Sequence, residues 1–221
     1  MEHSEQTKAI PRRTKKAVLD AVVCSAEIMV FAYLITYPFP MKAVAFIPLV
    51  MVAFIISRDI SSSAVAFRFL FRNLFSLKML VQIVIGLELG IIAAIYYRGN
   101  LGMSILPAVI RPFVVVAASV AIIEELVFRG FIQGQISKLN TDFAMVFAAF
   151  AHASYKACLF LSPAAIPQQH LVSYFIWSFG AYVVLGFLKN YSKSIVPVII
   201  AHVIFDLIVY AEVLQAPWWV W

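Results

Sequence analysis

The sequence predicts an all-α integral membrane protein with about seven transmembrane helices, an interfacial amphipathic helix and a polar cavity inside the membrane. Of its 221 residues, 63% are hydrophobic and 13% are charged, whereas soluble domains carry about 25% charged residues. Many of the apolar residues form runs of about 20, the length that a helix needs to cross a bilayer. Ionisable residues nevertheless interrupt several of these runs, which predicts a polar site at membrane depth.

Seven apolar runs are predicted to cross the membrane. Pro38 and Pro40 follow the first run and Pro163 follows the fifth, and proline ends a helix because it lacks a backbone N–H. The predicted spans cover residues 17–37, 43–56, 80–97, 112–135, 143–161, 171–188 and 195–214.

Residues 64–78 are predicted to form the interfacial helix. Arg68, Arg72 and Ser76 recur at every fourth position among phenylalanines and leucines, a spacing typical of an amphipathic helix. The alternative is that this segment extends a crossing helix. The chain is then predicted to divide into a basic tail (1–16), N-terminal helices (17–111), a core that carries the polar residues (112–214) and a Trp-rich tail (215–221).

The net charge of +6 is interpreted as a topology signal, and no nucleic-acid partner is expected. Five basic residues precede the first apolar run: Lys8, Arg12, Arg13, Lys15 and Lys16. The loops on the same side of the membrane as this tail also carry most of the remaining Lys and Arg. Because positive loops face the cytoplasm, the N-terminus is predicted to be cytoplasmic and the bilayer itself to be a partner.

Four ionisable side chains are predicted to lie at a similar depth near the middle of the membrane. Glu124, His152 and His202 each fall well inside a different predicted span, and Asp206 follows His202 by one helical turn. A charged residue at the centre of a membrane helix costs about 2.5–3.5 kcal/mol on insertion scales, so such residues are candidates for function.

The local spacing predicts partners for the ionisable residues. Glu125 and Arg129 are four residues apart, so they can form an ion pair on one helix face. Glu124 is rotated about 100° from Glu125, so it is predicted to be the free carboxylate, open to a water or a metal. His202 and Asp206 are also four apart, so Asp206 is predicted to orient the imidazole.

Glu124, His152 and His202 together offer one carboxylate and two imidazoles from three helices. This set suits a catalytic Zn²⁺ with an open fourth position. It equally suits a metal-free site in which Glu124 and His152 act as general bases on a water while His202 stabilises the oxyanion. Both the zinc-dependent and the metal-free mechanism would hydrolyse an acyl bond. The residues alone do not decide whether a metal cofactor is required.

These residues also resemble the motifs of a known family. The segment 124–130 reads Glu-Glu-x-x-Phe-Arg-Gly, His152 lies in the next span, and 202–206 reads His-x-x-x-Asp. The ordered set resembles the three motifs of the CPBP family, which includes the CAAX prenyl endopeptidases and the bacterial Abi proteins. The resemblance covers about residues 112–214, the segment predicted above to be the core.

The resemblance implies an intramembrane endopeptidase that hydrolyses a peptide bond in a membrane-associated or lipidated protein or peptide precursor. Members of this family have been described both as metalloproteases and as metal-free glutamate proteases. A bacterial inner membrane is the expected location, because the chain is short. The motif positions imply that Glu124 and His152 activate the water, that His202 and Asp206 form the oxyanion side, and that Glu125 and Arg129 support them.

Two positions depart from the family pattern. The second motif usually has phenylalanine four residues before the histidine, where this chain has Ala148. The third motif often ends in asparagine, where this chain has Asp206. An ionised aspartate cannot donate a hydrogen bond to an oxyanion, so Asp206 is expected to orient His202, to bind a metal or to stay protonated.

Other interpretations of the same polar residues remain. A proton- or ion-coupled transporter could use them as a relay, although the sequence shows no matching broken helices in two halves. A catalytically idle relative could bind or protect another membrane protein. The residues could also form a structural polar contact between helices. Lys156, one turn after His152, is expected to pair with an acid or to extend toward the interface.

Overall fold

The computed structural model describes residues 11–59, 76–162 and 170–214, and the regular structure within these ranges is entirely helical. This confirms the all-α class. In chain order the helices are α1 (Arg12–Ile35), α2 (Met41–Val44), α3 (Phe46–Asp59), α4 (Leu77–Asn100), α5 (Phe113–Glu125), the π-helical segment π1 (Leu126–Ile132), α6 (Gln133–Ile136), α7 (Thr141–Leu161), α8 (Leu171–Ser192) and α9 (Val196–Val209).

Five described helical stretches are long and apolar enough to cross a membrane: Arg12–Ile35, Met41–Asp59, Leu77–Asn100, Thr141–Leu161 and Leu171–Ser192. They correspond to five of the predicted spans. The predicted span 112–135 consists of α5, π1 and α6 in succession. Its backbone hydrogen bonding therefore changes from α-helical to π-helical and back to α-helical. The predicted span 195–214 forms only the shorter helix α9. The predicted count of seven is therefore not confirmed.

The interfacial helix predicted over residues 64–78 falls mostly outside the described residues. At its predicted end, Ser76 instead caps α4, because its side chain accepts a hydrogen bond from the backbone N–H of Met79 at 3.2 Å. The crossing helix therefore begins at Leu77, three residues before the predicted start. The division at residues 111 and 112 stays a prediction.

The main hydrophobic core lies where α1, π1, α6 and α7 meet. Small side chains on α7 allow this close approach, and Ala144, Ala148 and Ala151 are fully or almost fully buried against Cys24 and other α1 residues. Ala148, the first departure from the family pattern, is thus a packing position. The core fixes α7 against π1, and the candidate site residues project from both.

Helix α4 packs directly against α9, which carries His202. Gly86 and Gly90 make this possible, because a Cβ atom at Gly86 would lie 2.3 Å from the carbonyl oxygen of Pro197 and one at Gly90 would lie 2.4 Å from that of Ala201. Only glycine allows the two backbones to come this close. The position of α9 is therefore set by α4.

Arg98 links the C-terminal end of α9 to the loop that follows α4 through hydrogen bonds. The side chain is fully buried, and its guanidinium donates hydrogen bonds to the carbonyl oxygen of Ser104 at 2.7 Å and of Ile208 at 3.1 Å. It also donates to Glu212 Oε2 at 2.9 Å. These bonds satisfy a charge that would otherwise be costly to bury, and they hold α9 at the end nearest Asp206.

Candidate active site

The paired glutamates lie at the junction between α5 and π1. Glu124 and Glu125 are the last two residues of α5, and both are buried. The helix then continues with π-helical hydrogen bonding from Leu126 to Ile132, a segment that includes Arg129. A π-helical turn inside an α-helix is often found at a functional site, because it changes the direction of the side chains that follow. Here it directs Phe128 and Arg129 toward α7.

His152, on α7, is held at both ring nitrogens. Its Nδ1 contacts an Nη atom of Arg129, and its Nε2 lies 3.0 Å from Glu124 Oε2. Because guanidinium has only N–H donors, Nδ1 must accept from it. The neutral ring then carries its proton on Nε2 and donates to Glu124. The predicted meeting of Glu124 and His152 is therefore present in the structure.

The rings of Phe128 and Tyr182 stack on the two faces of the His152 imidazole and form an aromatic clamp around it. The Phe128 ring stacks on one side with centroids 4.0 Å apart, and the Tyr182 ring stacks with centroids 3.7 Å apart. Arg129 reaches past His152 and donates to the carbonyl oxygen of Tyr182 at 3.0 Å. The imidazole is fully buried, so its orientation and tautomer are fixed by its surroundings.

His202, on α9, is oriented by Glu125 and not by the predicted Asp206. Its Nδ1 lies 2.7 Å from Glu125 Oε1, whereas its Nε2 is 3.9 Å from Asp206 Oδ1, beyond hydrogen-bond distance. The predicted ion pair is present, since Arg129 Nε lies 3.4 Å from Glu125 Oε2. The i, i+4 spacing correctly placed Asp206 near His202 but could not show that a buried carboxylate from another helix lies closer.

Glu124 is not the free carboxylate that the spacing predicted. The ammonium group of Lys156 contacts Oε1, while His152 engages Oε2. The sequence could predict that Lys156 pairs with an acid, but the partner lies 32 positions away on another helix. Helical periodicity relates residues within one helix, so it carried no signal for this contact.

Glu124 also lies near His202, without a direct hydrogen bond between the two side chains. Its Oε2 lies 3.8 Å from His202 Nε2, and the same nitrogen lies 3.9 Å from Asp206 Oδ1. These separations are too long for direct hydrogen bonds. The side chains of Glu124, His202 and Asp206 are 6%, 8% and 10% exposed, so all three are largely buried.

The predicted polar cavity does not correspond to either of two open surface pockets of the structure. Both pockets lie elsewhere among the described residues, one lined by Phe46, Ile47, Val50 and Met51 and the other by Leu77, Lys78, Val81, Gln82 and Tyr191. The cavity therefore stays a prediction.

The predicted zinc ligands do not suit a metal in this arrangement. Nε2 of His152 carries a proton that it donates to Glu124, so it has no lone pair for a metal. Lys156 places an ammonium group on the other oxygen of the same carboxylate, where a second cation would be repelled. Within the described residues, moreover, there is no group of three or more His, Cys, Asp or Glu side chains arranged to hold a metal ion.

The comparison with protein families agrees with the motifs. Residues 106–208 match the family model described as type II CAAX prenyl endopeptidase Rce1-like. This confirms the resemblance to the CPBP family over that segment. Together with the apolar helices, the match supports a multi-pass integral membrane protein. Searches of curated proteins and of solved structures found no match to the chain.

Proposed function

From the family match over residues 106–208, we propose that this protein is a CAAX-type intramembrane endopeptidase. The single observation that supports the activity best is the convergence of Glu124, His152 and His202 from three helices. His152 Nε2 lies 3.0 Å and His202 Nε2 lies 3.8 Å from Glu124 Oε2. A carboxylate held close to two imidazoles is suited to general-base hydrolysis.

In the proposed reaction, a water lies between Glu124 Oε2, His202 Nε2 and Asp206 Oδ1. Glu124 takes one proton as the water oxygen attacks the peptide carbonyl carbon, and the C=O π electrons move to the carbonyl oxygen. The C–N bond then breaks, and Glu124 passes its proton to the leaving amine. The products are a carboxylic acid and an amine, so the net reaction consumes one water.

His152 and Glu125 are proposed to act by positioning other groups. His152 is fully buried between two rings and donates to Glu124, so it fixes the carboxylate and does not contact the water. Glu125 accepts from His202 Nδ1 and thereby presents Nε2 to the water. Such outer hydrogen bonds typically change activity by about 10- to 100-fold when they are removed.

We propose that the reaction proceeds without a metal. The site already supplies a base, and the protonated Nε2 of His152 and the nearby Lys156 disfavour a metal ion at Glu124. The substrate is proposed to be a membrane-associated or lipidated protein or peptide precursor. A chain anchored in the bilayer reaches a buried site by lateral diffusion, whereas a soluble peptide must leave water first. The cytoplasmic N-terminus and the bacterial inner membrane belong to the same proposal.

The transporter alternative has weaker support from the geometry. A proton relay requires groups that can release and rebind protons in turn. His152, the link between Glu124 and Arg129, is held at both nitrogens and on both faces, and Arg129 stays protonated in proteins. The idle-relative alternative is separated from the proposed function only by a measurement of activity.

The test uses the purified full-length chain in detergent with a peptide that ends in a farnesylated cysteine followed by three residues. Mass spectrometry should show release of the C-terminal tripeptide by the wild type. Glu124→Gln should lower kcat by about 10²- to 10⁴-fold, the range for loss of a general base. Glu88→Gln, an exposed glutamate on α4, is the matched control and should cleave like the wild type. Equal cleavage by the two variants, or none by the wild type on this and other lipidated peptides, would refute the proposal.

A further inference from the structure

We propose that Lys156 is a catalytic residue whose ammonium group neutralises the oxyanion formed when water attacks the substrate carbonyl. The proposal rests on the proposed hydrolysis and adds a donor to it. It comes from a contact that neither the motif spacing nor the family description includes.

Lys156 is placed at the reacting carboxylate by the same helix that carries His152. It follows His152 by one turn of α7, and its Nζ contacts Glu124 Oε1, the oxygen that His152 does not engage. The Tyr155 ring lies 5.3 Å from Nζ and limits its lateral movement. The ammonium therefore lies beside the base.

Lys156 also has hydrogen-bonding capacity to spare. An ammonium group has three N–H donors, and Glu124 Oε1 takes one of them. The Lys156 side chain is 15% exposed, whereas that of Arg129, the other cation nearby, is completely buried. Arg129 is further occupied by His152, Tyr182 and Glu125. Lys156 is thus the cation that an incoming carbonyl can reach.

The side chain on the opposite side of the proposed water cannot take this role when it is ionised. Asp206 presents Oδ1 to His202 Nε2 at 3.9 Å, and an ionised carboxylate only accepts hydrogen bonds. A developing oxyanion beside Asp206 would be repelled. A nearby cation is needed to offset both negative charges.

The movement of charge during the reaction favours Lys156 in particular. At the start, the negative charge next to Lys156 is on Glu124. When Glu124 takes a proton from the water, that charge disappears and an equal charge forms on the substrate oxygen. An ammonium within reach of both sites interacts more strongly with the substrate oxygen in the transition state than in the bound substrate, because that oxygen gains negative charge as the water attacks. Such differential binding lowers the barrier.

A purely structural ion pair is the competing explanation, and turnover measurements separate the two. With the farnesylated peptide, Lys156→Met should lower kcat by about 10²- to 10³-fold while changing KM little. Lys138→Met, which removes a cation that contacts Gln135 outside the site, is the matched control and should retain wild-type kcat. Wild-type and Glu124→Gln turnover, measured in parallel, establish the hydrolysis independently of Lys156.

The decisive comparison introduces a hydrogen-bond donor at position 206, on the other side of the proposed water. In the Lys156→Met background, Asp206→Asn supplies an amide N–H and should raise kcat by about tenfold or more, whereas Asp206→Ala should raise it less. A structural role for Lys156 predicts no rescue by asparagine. Failure of that rescue in folded protein, or a Lys156→Met defect confined to KM, would overturn the proposal.

Binding of a transition-state mimic keeps the test independent of turnover. A phosphonate analogue of the farnesylated peptide carries negative oxygens where the oxyanion would form. Its dissociation constant, measured by direct titration, should rise in Lys156→Arg or Lys156→Met. The rise should exceed the one that the same substitutions cause in the dissociation constant of the uncleaved peptide, which is measured in the Glu124→Gln background. Equal weakening of both ligands would overturn the proposal.

Discussion

Glu125 Oε1 lies 2.7 Å from His202 Nδ1, so a glutamate on α5 orients a histidine that is 77 positions away on α9. The same glutamate pairs with Arg129 through its other oxygen. Glu125 therefore couples the position of His202 to the π-helical segment that also positions His152.

Replacing Glu125 with glutamine should lower kcat by about 10- to 100-fold, because the substitution keeps the shape but removes the charge that holds the His202 proton on Nδ1. Peptide cleavage by the purified variant measures this effect, and Glu88→Gln is the control for a glutamate outside the site. If Glu125→Gln is as active as Glu88→Gln, Glu125 is not the group that orients His202.

The sequence predicted which residues meet better than it predicted how they pair. Glu124, His152 and His202 stood out because ionisable groups are rare inside apolar runs, and the structure brings all three together. Helical spacing correctly paired Glu125 with Arg129 but assigned the wrong acid to His202. Periodicity within one helix contains no information about a partner on another helix, so the Glu125–His202 contact could not be predicted from the sequence.

The aromatic clamp and the π-helical turn were also absent from the sequence-based prediction. Phe128 was part of the first motif but had no assigned contact, and Tyr182 lies in a span without any catalytic signal. An uninterrupted apolar run predicts a single α-helix, and nothing in its residue pattern predicts that part of it has π-helical hydrogen bonding. The clamp on His152 depends on that change, because Phe128 lies within π1.

Phe128→Ala should lower the free energy of unfolding by about 3 kcal/mol, because it removes a buried ring and leaves one face of His152 without a partner. Reversible unfolding in mixed detergent measures the change. Phe54→Ala is the control, since that ring is 59% exposed on α3 and its loss should matter far less. Similar destabilisation by the two substitutions would show that the clamp contributes little.

Gly90→Ala should destabilise the protein by about 1–3 kcal/mol and lower kcat, because the added methyl group would meet the carbonyl oxygen next to His202. Gly180→Ala is the matched control, since a Cβ atom there has no neighbour within 4 Å. Unfolding and peptide cleavage are measured on both variants. An active, stable Gly90→Ala protein would contradict the tight packing of α4 on α9.

The glycines illustrate a further limit of the sequence. Gly86 and Gly90 are four residues apart, as are Gly130 and Gly134, and either pair could mark a close helix contact. The structure places Gly90 against Ala201 and leaves open space beside Gly134. The difference lies in which helix is the neighbour, and spacing alone does not specify that.

Removal of metal ions should leave activity unchanged, because the protonated Nε2 of His152 and the ammonium of Lys156 occupy Glu124. Dialysis against a chelator, followed by elemental analysis and a cleavage assay, measures this. Full loss of activity that returns with added Zn²⁺ would show that the metal-free assignment is wrong, whereas the intramembrane protease assignment would stand.

Glu124 is proposed to activate a water and not to attack the substrate itself. A single turnover in H₂¹⁸O, with enzyme in excess over the farnesylated peptide, distinguishes these two possibilities by mass spectrometry. Water activation by Glu124 predicts one ¹⁸O atom in the new carboxyl group of the product and none in the enzyme peptide that contains Glu124. Label in the side chain of Glu124, or an unlabelled product, would contradict it.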